Sequence, residues 1–101
     1  MPSTYRVAST TDIPDGEGRC VEIEGRRIAV FHVNGNYMAI DDSCPHRGGP
    51  LSDGPIRGTT VTCPWHGWQF DGVTGACSFN PEMSVTHYQA TVEGDSVFLE
   101  V

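Results

Sequence analysis

Four side chains able to bind metal fall in two short loops of this sequence. Cys44 and His46 stand in "CPHRGG", residues 44 to 49, and Cys63 and His66 in "CPWHGW", residues 63 to 68. The constellation is Cys-x-His, sixteen intervening residues, then Cys-x-x-His. Two thiolates and two imidazoles can satisfy one tetrahedral zinc ion. Zinc fingers, however, pair like with like, as C-x2-4-C and H-x3-5-H. Here each loop mixes one Cys with one His. That mixture suits a two-iron centre in which one iron takes both thiolates and the other both histidines, so that each loop reaches both metals. On spacing alone, zinc and a two-iron centre both remain open.

Two such loops must be set side by side by a scaffold, and the pattern around them is β. Turn signals recur about every 8 to 12 residues. "RCVEIEGRRIAVFHV" holds two runs around Glu24-Gly25, which predicts a hairpin. Asn34-Gly35 suits a tight turn, because both central residues tolerate positive φ. "YMAI" predicts the next strand, "TTVTC" and "WQF" two more, and "DGVTGACSF" a further hairpin. "HYQATVEGDSVFLEV" alternates on both sides of Gly94-Asp95 and predicts a final hairpin. No stretch of ten or more residues carries a helical period.

The chain has 101 residues, enough for a single domain with a modest core. Its net charge of −7 argues against nucleic acid as a partner, since phosphate binding needs clustered Lys and Arg. The N-terminal residues lack an apolar signal core, and no run approaches the roughly 18 apolar residues of a membrane helix. A cytoplasmic protein with no membrane contact is expected, and with it reduced cysteines that favour metal over disulfides.

"CPHRGGPL" and "CPWHGWQFD" resemble the two ligand loops of Rieske-type [2Fe–2S] proteins, above all the small Rieske ferredoxins of bacterial ring-hydroxylating dioxygenase systems. The likeness extends to "GACSFNPEMSVTHYQATVEGDSVFLEV" and so covers the chain from about Tyr5 to Val101. It implies an all-β Rieske fold. An antiparallel sandwich or barrel base (about 1–40 and 80–101) would carry an inserted cluster-binding subdomain of loops and hairpins (about 41–79). It also implies that Cys44 and Cys63 ligate one iron, and His46 and His66 the other.

The function implied is one-electron transfer rather than catalysis. Electrons would pass from an NAD(P)H-dependent flavoprotein ferredoxin reductase to a terminal Rieske non-haem iron oxygenase acting on an aromatic compound. The carrier is expected to be a monomer. Alternatives are the small Rieske subunit of a nitrite reductase, a domain of a larger oxygenase, and a zinc-stabilised structural module. The close of the sequence on "VFLEV", where the last strand should finish, favours a complete protein over a detached domain.

High-potential Rieske proteins resemble this chain but add a loop-to-loop disulfide, at positions that here read Gly49 and Trp65. They also offer serine and tyrosine hydroxyls, at positions that here read Trp68 and Phe70. Hydrogen bonds to the sulfurs stabilise the reduced state, so their loss predicts a potential at the low end, on the order of −150 mV.

Around the ligands, Gly48, Gly49 and Gly67 are expected to permit tight loops and close backbone approach. Trp65 is expected to cap the cluster loop or touch a partner, Trp68 to pack between subdomain and base, and the third loop around Pro81 to shield one side of the cluster from water. Asp41, Asp42, Asp53 and Asp71 are candidates for an acidic docking rim. Cys20 reads as a small core residue, Cys77 as structural, and His32 and His87 as ordinary strand residues.

Overall fold

The computed structural model describes residues 4–43, 50–65, 67–78 and 84–100. Nine strands are present among them: β1 (Thr4–Ser9), β2 (Glu17–Ile23), β3 (Arg26–Val33), β4 (Asn36–Asp41), β5 (Ile56–Arg57), β6 (Thr60–Thr62), β7 (Gln69–Asp71), β8 (His87–Glu93) and β9 (Ser96–Glu100). Two single 3-10 turns, Thr10–Asp12 and Leu51–Asp53, are the helical elements among the described residues. The strands form a six-stranded antiparallel sheet in the order β1-β9-β8-β4-β3-β2 and a three-stranded sheet in the order β5-β6-β7. The larger sheet curls into a nearly closed barrel, in keeping with a Rieske fold. A groove lined by Tyr5, Arg6, Val7 and Val21 to Glu24 marks the open seam between β1 and β2.

Local chemistry accounts for the tight connections. Glu24 and Gly25 (φ 50° and 81°) and Asn34 and Gly35 (φ 51° and 83°) put both central residues of two hairpin turns at positive φ. That is the turn whose twist matches the flanking strands. The registers follow, with Ile23 opposite Arg26 and Val33 opposite Asn36.

Strands β3 and β4 are the wall between two cores. Side chains alternate across a strand. Ile28, Val30 and Ala39 point into the barrel with Ile13, Ile23, Val97 and Leu99. Ala29, Phe31, Met38 and Ile40 point the other way, to Leu51, Val61, Cys63, Phe70, Cys77 and Val85. Ile28 to Phe31 are all 0% exposed, so "IAVF" is apolar on both faces because both faces are covered. The small sheet thus has no separate core. It is seated on the outside of the barrel wall by the second cluster.

Cys20 departs from the reading as a core residue and is exposed. β2 is the last strand of its sheet, and Val21 and Ile23 face the barrel, which turns their neighbour Cys20 outward. Desolvation raises its thiol pKa, while the Arg27 guanidinium pulls the other way.

Candidate metal centre

Of the four expected ligands, Cys63 lies within the described residues; Cys44, His46 and His66 lie outside them, as do Gly48, Gly49 and Pro81. Cys63 follows β6 directly and is 1% exposed. Its main-chain N–H donates to the Trp68 carbonyl (2.7 Å), and its carbonyl accepts the Gly67 N–H (3.0 Å). These bonds close the 63–68 loop on itself. Gly67 sits at φ 75°, where a side chain would be strained.

The first loop is closed as firmly at its ends. Ser43 pairs with Pro50 in an isolated antiparallel bridge, so the two residues flanking this loop are held side by side. The segment after this loop is then pressed against the start of the second. Thr62 N–H donates to the Pro55 carbonyl at 3.0 Å. A Cβ on Gly54 would overlap the Thr62 carbonyl and stand 3.2 Å from the Pro64 Cδ. Only glycine allows that approach. "SDGP" reads as a turn in sequence, and nothing local in it announces a contact with residues 62–64.

Trp65 is 56% exposed, between Cys63 and the His66 position. Trp68 is half-buried against the core shared by the two sheets. Phe70 is fully buried, and Cys77 pairs with it across an isolated bridge and lies in the same buried cluster as Cys63. His32 stacks on Tyr37 with ring centres 4.4 Å apart, and its Nδ1 lies 2.8 Å from the Ile13 carbonyl oxygen.

The acidic rim needs correction. Asp42 is 3% exposed and turned inward, where it accepts the Ser52 N–H. Asp41 accepts the Tyr88 hydroxyl at 2.7 Å. Asp71 caps its own turn by accepting the Val73 and Thr74 N–H groups at 2.7 and 3.1 Å. Three of the four acids are thus committed to the scaffold, and Asp53 alone is exposed without such a bond among those described. A backbone donor within reach captures a carboxylate that the sequence reads as solvated.

Cys63 is a buried thiol outside any disulfide, and with the second thiol, Cys44, next in sequence after Ser43, and the two imidazoles of His46 and His66 it makes a donor set of the kind that binds iron–sulfur clusters. The model of the Rieske [2Fe-2S] domain matches residues 3–92, and the chain belongs to that family. Its cofactor is accordingly a Rieske [2Fe–2S] cluster, and the zinc module is set aside.

The ferredoxin component of the p-cumate 2,3-dioxygenase system of Pseudomonas putida is 38% identical over 98 residues, 94% of this chain and 83% of that protein. The solved Sphingomonas yanoikuyae B1 ferredoxin is 32% identical with a TM-score of 0.87, covering 98% of this chain and 99% of its own. A chain in the complex of reduced oxygenase and oxidized ferredoxin in carbazole 1,9a-dioxygenase is 26% identical with a TM-score of 0.84, covering 96% of this chain and 92% of that one.

Proposed function

We propose that this protein is the one-electron carrier of a multicomponent oxygenase system acting on an aromatic compound. Cys44 and Cys63 hold one iron and His46 and His66 the other. Electrons come from a flavoprotein reductase using NAD(P)H and leave to a terminal Rieske non-haem iron oxygenase. The observation that carries this reading is a sequence likeness of 38% to a dioxygenase ferredoxin, spanning nearly the whole of both chains. When bound, the cluster takes up one electron and gives it back.

The chain's own residues hold and shield the site. Cys63 comes from a buried strand end, while Trp65 beside it is open to a partner. Phe70 and Trp68 seat the second loop on the shared core and offer the cluster sulfurs no hydroxyl. Their chemistry supports a midpoint potential on the order of −150 mV. The small-sheet region, about residues 41–79, is the cluster-binding subdomain on a base of about 1–40 and 80–101.

The direct test is anaerobic reconstitution with a candidate reductase and oxygenase. Product should form only when the carrier is present, and NAD(P)H oxidation should stay coupled to it. Reduction by the reductase without onward transfer to any oxygenase would overturn the assignment. Redox titration of the purified carrier is independent of partners, and a midpoint above zero would contradict the low-potential reading.

A further inference from the structure

Asp42 is bonded to both sides of the first ligand loop. Its main-chain N–H donates to the Arg27 carbonyl at 3.0 Å, and its own carbonyl accepts the Leu51 N–H at 2.9 Å. Its Oδ1 accepts the Ser52 N–H at 2.6 Å. One residue therefore ties β3, the start of the loop and the turn that follows it. The Ser43–Pro50 bridge stands between these bonds and the ligand positions.

The charges in this clamp are unequal. The Arg27 guanidinium lies 3.8 Å from Asp42 Oδ2, with side-chain exposures of 67% for Arg27 and 2% for Asp42. A cleft of about 120 Å³ opens beside the pair, lined by Arg27, Asp42, Ser43 and Pro50. The cation is hydrated and screened by salt, whereas the buried anion is screened far less. Asp42 precedes Cys44 by two residues, so the two Cα atoms lie within about 7 Å whatever path the loop takes.

We propose that Asp42 is a positioning residue for the first ligand loop, and that its buried negative charge, partly balanced by Arg27, helps set the reduction potential. The proposal rests on Cys44 and His46 being ligands, as read above. The added electron brings negative charge to the cluster. A fixed anion within a few ångströms of the loop opposes that gain, and a cation favours it.

Two substitutions should therefore move the midpoint in opposite directions. Asp42→Asn keeps an oxygen to accept the Ser52 N–H and removes the charge, so the midpoint should shift upward. Arg27→Gln removes the surface cation and uncovers the anion, so the midpoint should shift downward, and less so at high salt. Asp42→Ala also removes the acceptor and should load less iron and acid-labile sulfide per chain than Asp42→Asn.

Potentials are read by mediated spectroelectrochemical titration of each cluster-loaded variant, with the EPR spectrum as a check on the ligand set. Shifts of the same sign, or no shift in either charge variant, overturn the charge role. Should Asp42→Asn fail to load, Arg27→Gln decides alone. Full loading of Asp42→Ala overturns the positioning role. Absence of histidine nitrogen coupling in the reduced wild-type EPR spectrum overturns the ligand assignment and this inference with it. No partner is present in these measurements. Opposite shifts in a protein that fails to support an oxygenase would therefore count against the carrier reading and leave this one standing.

Discussion

The barrel and the small sheet are built to different rules. Five of the barrel's six strands run six to eight residues and the sixth runs five, and hairpin turns join its sequential neighbours β2 to β4 and β8 to β9. The small sheet has strands of two or three residues, and its last strand is extended only by the isolated Phe70–Cys77 bridge. The barrel closes over its own interior, while the small sheet borrows the outer face of β3 and β4. The lesson is one of dependence. Among the described residues, none of the 63–68 loop lies in the barrel's own core, whereas Cys63 and Trp68 pack in the core on the outer face of β3 and β4, so the barrel is expected to outlast the loops rather than the reverse.

The sharpest break in that comparison is Cys63→Ser. It should abolish visible absorption and bound iron while the far-UV circular dichroism of the barrel persists. Loss of the β signal together with the cluster would mean that the barrel depends on the loops as well. Next come two leucines, both fully buried, one in each core. Leu51→Ala and Leu99→Ala should each cost about 2–5 kcal/mol in denaturant unfolding. Only Leu51→Ala, in the core shared with Cys63, should also speed cluster loss to a chelator. Equal rates of loss in the two variants would erase the distinction.

Phe70→Tyr tests the shared core from the redox side. An added hydroxyl at this fully buried position should raise the midpoint potential if it reaches a cluster sulfur, at a cost of about 1–3 kcal/mol from overpacking. Tyr88→Phe removes the bond to Asp41 that joins β8 to β4, and should cost about 1 kcal/mol.

That tyrosine also predicts a pH effect. Desolvation, then the neighbouring Asp41 carboxylate, raises its pKa above the usual value near 10. The neutral phenol is favoured in the folded state, so its contribution is present below about pH 10 and is lost as pH rises through the raised value. Wild type should therefore lose stability on that alkaline limb more steeply than Tyr88→Phe in pH-dependent melting. Smallest of all, Glu17→Gln breaks an exposed 3.2 Å pair with Arg19 and should change stability by no more than about 0.5 kcal/mol.

What could be read in the sequence was what local spacing carries. The ligand pairs, the Asn34-Gly35 turn and the final hairpin at Gly94-Asp95 are written within a few residues of themselves. β1 was not legible as a strand. "TYRVAS" is short, and its pairing runs from Thr4 opposite Glu100 to Ser9 opposite Ser96, so no local trace of its partner exists. "IAVF" was legible as strand, but its burial on both faces depends on a sheet contributed later in the chain. Asp42 and Cys20 were misread for one reason. Which face of a strand or neck meets solvent is decided by what packs there, and neither residue type settles it alone.

The placing of β9 between β1 and β8 has a consequence in time. During synthesis β1 emerges ahead of the other described strands, yet its partner in the sheet, β9, is made after all of them. At about 5 to 20 residues per second, the interval is about 5 to 20 s. Both ligand loops and the hairpins that carry them exist as nascent chain before the barrel can finish. Iron delivery in the cell then meets a choice of two substrates, an unfinished polypeptide on the ribosome or a released protein whose first strand has just been locked down.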